Sequence, residues 1–574
     1  MQCYASDHAE TPLTRTHTQV AFIRAMSAPV RTSLVFLCFV FTVAAAEGYN
    51  REACNRKVSS LLESGTLALN DTKFSLRDDG TPRSTIKHPV VTLSGCYEMC
   101  GTGFGWYKDI GPRLSTWLIP VFLLLSNMEV SPLDKRRYLM ILHLLGDPID
   151  SLWSLLTKIE AWSRCYHQAL KRGGSADKTK VRNVATLLGG LEDLVGFHDD
   201  PARVFDRILS RASKTEDEID HLTSRTALQL ADGRTDERLR TIFATVLYGY
   251  QLVSAFITTV GGGNTSPPGG RIGITMYMTW IVPSILLSNA IGGFTSRRTC
   301  YGVLETFIQD ATDQRNAWAT LQHAAPGLKY YATVHEYVDS LAWSGAIYSY
   351  RPSKALTFRS GRRDISEWVL LLLATAPIVI SSTVASIILW NTPPIGINCR
   401  NILIFVMTSL VLFSALFTRL SAFFFKGSRH WHIMIVKDTL LAIPSVVLVF
   451  LACAGRFNSC WCWSGVFSLG SKARVPLNAA DDFIRYNGTT YPILVSVCLS
   501  LQVSVFFAMM WVGWRGWNVL RWCEEERKAE WKATRNWRDD TAERIENSAK
   551  STLFVGVEEY PLLPLSNTGS VNRS

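Results

Sequence analysis

The chain has 574 residues, of which 47% are hydrophobic, and its mean hydropathy of +0.11 is positive. Its formal net charge of +11 would suit a nucleic-acid-binding protein if the basic residues formed a continuous patch. The basic residues instead flank long apolar runs, which excludes nucleic acid as the predicted partner and predicts the lipid bilayer.

The first apolar run has the order of parts expected of a signal peptide. Arg31 precedes the run from Ser33 to Val43, and three alanines ending at Ala46 follow it. The run is too short to span a bilayer comfortably, so we predict a cleaved signal peptide over residues 1–46 rather than an anchor. Met26 is an alternative start of translation.

Seven later runs predict an all-α fold, a multi-pass transmembrane helical bundle. Six have the length of a membrane span, and the seventh, 114–128, is shorter and contains Pro120. The predicted order is an ectodomain (47–113), span 1 (114–128), a cytosolic helical loop (129–240), spans 2 and 3 (241–294), a second cytosolic helical loop (295–367), spans 4 and 5 (368–425), a short inner loop with span 6 (426–455), an outer loop (456–492), span 7 (493–514) and a cytosolic tail (515–574).

Two features independently predict which loops face outward. Glycosylation occurs only in the lumen, and the seven-span order places the sequons at Asn70, Asn264 and Asn487 outside and the one at Asn572 inside. Lys and Arg collect on the predicted inner flanks, as the positive-inside rule requires. Without span 1, Asn264 and Asn487 would both face the cytosol.

The cysteines of the predicted outer segments can form disulfides, because the lumen is oxidising. Spacing leaves their connectivity open, with Cys54 to Cys96 or Cys100 and Cys399 to Cys460 or Cys462 as examples. A metal site at these cysteines is the weaker alternative, since further His or Cys ligands are missing nearby, so no metal is predicted. The candidates for disulfides are Cys54, Cys96, Cys100, Cys399, Cys460 and Cys462.

Both cytosolic loops are predicted to be helical. Apolar residues recur at helical spacing on each side of Gly146-Asp147-Pro148, which predicts a helical hairpin or re-entrant amphipathic pair against the inner face of the membrane. Further helices are predicted at 185–195, 204–210 and 217–230, and others in the second loop.

No Asp or Glu falls within a predicted span core, and this disfavours a proton-coupled pump. Arg419 and the Lys437-Asp438 pair are predicted at inner span ends, where they would extend to the headgroups. An enzyme would require residues such as Asp147, Asp150, His198 and Asp199 to converge. We predict no catalytic residue and no cofactor, and interpret His198-Asp199-Asp200 as a polar linker that caps a helix.

The end of the tail matches two short patterns that resemble sorting signals read by clathrin adaptors. Glu558 with Leu562-Leu563 fits the acidic dileucine pattern, and Tyr560 to Leu563 fits the tyrosine-based pattern. They predict the plasma membrane or an endosomal or vacuolar membrane. The Trp and basic residues after span 7 predict an interfacial belt.

Distinctive runs occur between residues 96 and 160. They are Cys96-Tyr97 with Cys100-Gly101, Arg113 to Pro120, and Leu144 to Lys158. In these runs the chain resembles a family of uncharacterised integral membrane proteins of filamentous fungi, and elsewhere it does so by hydropathy alone. The resemblance implies a multi-pass fungal membrane protein and transfers no catalytic residue.

The leading functional hypothesis is a non-enzymatic, receptor-like or scaffold-like protein. It would bind cytosolic protein partners through residues 129–240 and the C-terminal tail, because these segments are long and lack reactive motifs. The alternative is a solute transporter or channel. It rests on prolines within four predicted spans, since broken helices line the substrate sites of some transporters. These are Pro120, Pro283, Pro377 and Pro444.

Overall fold

The structure is a computed structural model, and it describes most of the chain between residues 49 and 516. The described residues are 49–68, 71–74, 76, 80–81, 89–102, 119, 121–126, 137–173, 177–196, 199–232, 238–254, 268–291, 297–340, 365–392, 396–425, 428–477, 489–514, 516 and a few positions between 532 and 546. Several predicted features lie outside this part, namely the signal peptide, the four sequons and the sorting-signal residues.

Among the described residues, five helices are long and apolar enough to cross a membrane. A bent pair, Leu139–Gly146 with Pro148–Arg172, would make a sixth if it counted as one broken span. The predicted run 114–128 is described only at 119 and 121–126, and the run 241–260 only as far as residue 254, so the count of seven stays a prediction. The five helices are Gly269–Asn289, Glu367–Trp390, Cys399–Phe424, His432–Ala454 and Thr490–Val512.

The span Gly269–Asn289 forms the centre of the bundle. Of its most apolar stretch 78% is buried, against 22% for the peripheral span Thr490–Val512, whose apolar side chains face outward as lipid-facing residues would. Gly273 allows close packing here, because a Cβ at this position would lie 2.8 Å from Cγ of Leu389 on a neighbouring span. The central span consists of α9 (Pro268–Tyr277), a 3₁₀ turn (Met278–Trp280) and α10 (Ile281–Ile291).

One end of the bundle carries a small mixed unit, formed by the described residues of 49–102 and 456–477, which we call the outer unit after the side that the sequence predicts for it. Strand β1 (Val90–Thr92) pairs antiparallel with β2 (Arg474–Pro476), so the N-terminal segment joins the loop that follows the span His432–Ala454. Val58, Trp463 and Val475 lie in the core of the unit. Its helices are α1 (Arg51–Glu63), α2 (Leu93–Cys100), α17 (Cys460–Trp463) and α18 (Val466–Leu469).

The opposite end carries a helical domain. The helices predicted at 185–195, 204–210 and 217–230 are confirmed, and three helices of the predicted second loop pack against them. Its helices are α5 (Lys178–Val195), α6 (Pro201–Leu209), α7 (Glu216–Asp232), α11 (Arg297–Thr312), α12 (Ala317–Ala324) and α13 (Val334–Ser340). The remaining helices are α3 (Arg137–Gly146), α4 (Pro148–Gly173), α8 (Arg238–Ser254), α14 (Glu367–Trp390), α15 (Cys399–Phe424), α16 (Ser428–Ala454) and α19 (Thr490–Val512).

Helix α4 connects the helical domain to the bundle. The predicted break before it is present, but α4 is buried from Ser151 to Trp162 instead of lying along a surface. It packs against α5 on one side and against α14 and α15 on the other. A surface helix has one apolar face, whereas α4 is enclosed by two layers of neighbours.

A candidate site: a buried ionic cluster at a helix break

Helices α3 and α4 meet at Asp147 with a bend of 108°. The local sequence explains the break, because a proline is suited to the first turn of α4 and cannot continue α3. The Asp147 carboxylate accepts a hydrogen bond from the backbone N–H of Asp150 at 3.1 Å, which caps the new helix. Asp147 is thereby held at the corner, completely buried.

Gly146 brings this corner into direct contact with α16. A Cβ at position 146 would lie 2.6 Å from the carbonyl oxygen of Asp438, closer than any side chain could approach. The carbonyl of Gly146, which the break frees from helical pairing, accepts a hydrogen bond from Oγ of Ser414 on α15 at 2.8 Å. Three helices therefore meet at the break without intervening side-chain bulk.

Lys437 lies at the centre of this junction. Its Nζ is 2.6 Å from Oδ2 of Asp147 and 3.0 Å from Oδ1 of Asp438. The same amino group is 2.8 Å from Oγ of Ser414 and 2.8 Å from Oγ1 of Thr418. Lys437 thus has four close oxygen partners in the interior, with the carbonyl of Ser414 as a fifth at 3.5 Å, and this is the environment of a protonated ammonium group.

His143 extends the cluster toward the protein surface. Its Nδ1 is 2.7 Å from Oδ2 of Asp438, and its Nε2 is 3.4 Å from Oδ2 of Asp150. The side chains of His143 and Asp438 are each 2% exposed, whereas that of Asp150 is 19% exposed. We call His143, Asp147, Asp150, Lys437 and Asp438 the ionic cluster; its path from interior to surface ends at Asp150.

The position of Lys437 and Asp438 corrects the sequence interpretation. They were expected to extend to the headgroups from an inner span end, and the apolar span within α16 does begin at His432, only five residues before Lys437. The side chain of Lys437 is nevertheless only 9% exposed, and its Nζ is paired with Asp147. The side chains therefore turn inward to partners rather than outward, and the expectation that this pair snorkels is wrong.

Arg419 differs from that pair. Its side chain is 25% exposed, and its Nη1 lies 2.6 Å from Oε1 of Glu367 at the start of α14. The guanidinium group also stacks over the ring of Trp153, 3.9 Å from the ring centroid. The ion pair and the stacking contact together hold the Arg419 side chain at this end of the bundle.

The residues considered for an enzyme are only partly brought together. Asp147 and Asp150 belong to the ionic cluster, while Asp199 lies in the helical domain, 3.2 Å from Nη1 of Arg207. Asp200 caps α6 by accepting a hydrogen bond from the N–H of Ala202, which confirms the predicted capping role of this polar segment. His198 lies outside the described residues.

All six cysteines proposed for disulfides are paired, and all lie at the outer-unit end of the bundle. The pairs are Cys54 with Cys100, Cys96 with Cys460 and Cys399 with Cys462. The sulfurs of Cys96, Cys100 and Cys460 lie within 4.8 Å of one another, close enough to share a metal ion. In this structure the same sulfurs are engaged in disulfides.

Sequence reasoning could not identify the ionic cluster. The available signals were the helix break at Asp147 and a histidine within the apolar helix α3, but neither specifies a partner on α16. No protein-family model, curated protein or solved structure matches the chain. The resemblance to fungal membrane proteins therefore receives no support from relatives.

Proposed function

We propose that this chain is a multi-pass membrane transporter or channel whose working part is the ionic cluster. The observation that carries the proposal is Lys437, buried between Asp147 and Asp438 where a broken helix meets an apolar span. Charged groups at membrane depth usually line ion or substrate paths. The sequence had argued against ion coupling because the span cores lacked acids, and the buried cluster removes that objection.

Stability alone does not account for such a cluster. Removing charges from water costs several kcal/mol per ion, and buried ion pairs can often be replaced by apolar residues without loss of stability. A helix break is a further cost, because it leaves backbone groups without helical partners. Transporters combine the same two features, in that discontinuous helices expose backbone and side-chain polar groups near the site.

Polar and proline residues elsewhere in the spans support the proposal. Gln502 on α19 donates hydrogen bonds to the carbonyl of Pro377 at 3.0 Å and to Oγ1 of Thr279 at 3.3 Å. It therefore links the central span with α14 in the bundle interior. Pro377 and Pro444 lie inside spans and weaken their helical pairing, so these spans can bend.

The proposed activity does not use Lys437 as a nucleophile or a general base. A nucleophile or general base needs an available lone pair, and the amino group of Lys437 is engaged with four oxygens. The two carboxylates and two hydroxyls around the ammonium group of Lys437 instead form a site in which positive and negative charges offset each other. A transported ion or a polar solute group can alter that balance.

We further propose that the disulfide-bearing end faces the lumen or the cell exterior and that the helical domain and tail face the cytosol. Clustering of the three disulfides at one end supports this, because they form in oxidising compartments. The proposed location is the plasma membrane or an endosomal or vacuolar membrane. Glycosidase-sensitive mass at Asn70, Asn264 and Asn487 with a protease-accessible tail supports this orientation, and sugar at Asn572 contradicts it.

Transport is tested with the full-length chain in liposomes. Uptake of labelled potassium, sodium, chloride, phosphate, amino acids and hexoses is compared with that of empty liposomes. We expect uptake of at least one probe, its loss in Lys437→Met, and its retention in Lys329→Met, since Lys329 is exposed in the helical domain. A folded wild-type chain that transports none of the probes would contradict the proposal.

A receptor-like function remains the second candidate, and one feature favours it. Helix α16 carries Lys437 and Asp438 toward one end and leads at the other end to Cys460, which the disulfide to Cys96 ties to the outer unit. Ligand binding outside could therefore move the ionic cluster and the cytosolic partner-binding surfaces. Hydrogen exchange tests the link, because loss of the disulfide in Cys96→Ser should change exchange at residues 143–151. Unchanged exchange there would exclude such coupling.

A further inference from the structure

The ionic cluster forms a continuous series of proton-binding groups from the interior to the surface of the protein. Asp438 contacts Lys437 through Oδ1 at 3.0 Å and His143 through Oδ2 at 2.7 Å. The second ring nitrogen of His143 lies 3.4 Å from Asp150, whose side chain is 19% exposed. The contact of His143 Nδ1 with Asp438 is a hydrogen bond, and the other two are ion-pair contacts at 3.0 and 3.4 Å.

His143 has the geometry of a proton relay. Both of its ring nitrogens face carboxylates, so the imidazole can gain a proton at one nitrogen and lose one from the other. Neither lysine nor arginine can do this, because they have no acceptor atom when charged. A histidine placed only for packing would need neither of these contacts.

We propose that the ionic cluster binds protons and that they enter through Asp150 and His143, an inference that rests on the transport function proposed above and specifies its coupling ion. A proton taken from water by Asp150 passes to Nε2 of His143, and the proton on Nδ1 passes to Asp438. The ring is left as the other tautomer. It resets by turning over or by returning the proton along the same path.

The charge balance favours proton uptake. With a neutral His143, the three carboxylates and Lys437 leave a net charge of −2, and a proton reduces this to −1. A buried excess of negative charge favours the protonated form. The titratable groups that face the cluster come from four parts of the chain, namely His143 on α3, Asp147 at the break, Asp150 on α4, and Lys437, Asp438 and His430 on α16. Helix α15 adds the hydroxyls of Ser414 and Thr418.

A proton fits this site better than a metal cation does. The ammonium of Lys437 already occupies the space between Asp147 and Asp438, where a metal ion would need to bind both carboxylates. A metal ion would have to displace the ammonium, whereas a proton requires no space beyond that of the existing hydrogen bonds. The cluster therefore suits coupling to a proton gradient.

The direction of entry follows from the position of Asp150. It lies in the first turn of α4, the helix that continues into the helical domain. Its side chain is also the most exposed of the ionic cluster. We therefore expect protons to enter from the side of the helical domain, which is the cytosolic side in the proposed orientation.

The test uses full-length protein in liposomes adsorbed on a solid-supported membrane. A pH jump is applied without solute, and the transient charge displacement is recorded. We expect a transient in the wild type, its loss in His143→Phe and Asp150→Asn, and its retention in Asp150→Glu, which restores a carboxylate. The controls His335→Gln and Asp217→Asn change exposed residues of the helical domain and should behave as the wild type.

Folding is checked separately by gel filtration. If His143→Phe does not fold, the pair Asp150→Asn and Asp150→Glu decides the outcome, because Asp150 is partly exposed and both exchanges nearly preserve its size. Absence of a transient in the folded wild type overturns proton binding. An unchanged transient in Asp150→Asn overturns the route, and a transient after a sodium jump at constant pH overturns the choice of ion.

The outcomes separate this inference from the transport proposal. Solute uptake without any pH-jump transient would leave transport standing and refute proton coupling. A transient that needs Asp150 and His143, with no uptake of any solute probe, would refute solute transport and support the proton site. The two proposals therefore fail on different measurements.

Discussion

Substitution of Lys437 by methionine tests whether the ionic cluster forms as described. The change keeps most of the side-chain volume but removes the cation 2.6 Å from Asp147 and 3.0 Å from Asp438. Two carboxylates would then share a buried site without their main counter-charge. Removing one partner of a buried ion pair costs roughly 3–5 kcal/mol, so we expect a pronounced loss of stability.

The double variant Lys437→Met with Asp147→Asn provides the decisive comparison. It removes one buried negative charge along with the cation, so we expect it to be more stable than Lys437→Met alone. The measurement is thermal unfolding in detergent, followed by tryptophan fluorescence, with exposed Lys329→Met as the control. The ion pair of Lys437 and Asp147 does not exist as described if Lys437→Met unfolds at the wild-type temperature. The same conclusion follows if the double variant unfolds at a lower temperature than Lys437→Met alone.

Three more outcomes follow from the structure. Gly146→Ala should destabilise the chain by roughly 1–3 kcal/mol through overpacking. The control Gly302→Ala should not, because a Cβ there meets nothing within 4 Å. Equal unfolding temperatures of the two variants would refute the close contact at Gly146. Cleavage at a protease site inserted between residues 232 and 238 should leave two fragments joined under non-reducing electrophoresis by Cys96–Cys460, and Cys96→Ser should release them; separation in the wild type would refute this disulfide. The backbone N–H and the hydroxyl of Thr215 donate hydrogen bonds to the Glu218 carboxylate and lower its pKa. The start of α7 should therefore be protected from hydrogen exchange at neutral pH and lose that protection as pH falls through the lowered pKa. The variant Glu218→Gln should remove this pH dependence.

The helices of the membrane-adjacent loops could be predicted because their signals are local. Gly146-Asp147-Pro148 combines a helix stop, a cap and a helix start within three residues. Asp200 and the following proline likewise begin α6 as expected. Such patterns act through the backbone of neighbouring residues, so no knowledge of the tertiary fold is needed.

The ionic cluster could not be predicted because its contacts are distant in sequence. Lys437 and Asp147 are 290 positions apart. Hydropathy also predicted a short inner loop at the start of residues 426–455, since a charged pair lowers the apolar score of any window that contains it. The helix in fact extends to Ser428, and the charge is accommodated by partners that only folding supplies.

The pairing of the disulfides could not be predicted either, because it too depends on contacts between residues distant in sequence. Redox compartment and predicted sidedness are enough to select six cysteines as candidates, yet spacing leaves the pairing open. Cys96 pairs with Cys460, across 364 positions, because β1 and β2 bring the two segments together. Strand pairing between such short segments has no distinctive sequence pattern.

Helix α16 relates the two ends of the molecule physically. Its C-terminal end leads into the loop fixed to the N-terminal segment by Cys96–Cys460, and backbone atoms of its N-terminal half directly contact Gly146. Because a Cβ would not fit between Gly146 and Asp438, a small rotation or shift of α16 must change this contact together with the Lys437 and His143 interactions. Pro444, which lies between the two ends, offers a point at which α16 can bend. We therefore expect bending of α16 at Pro444 to change the contacts of the ionic cluster.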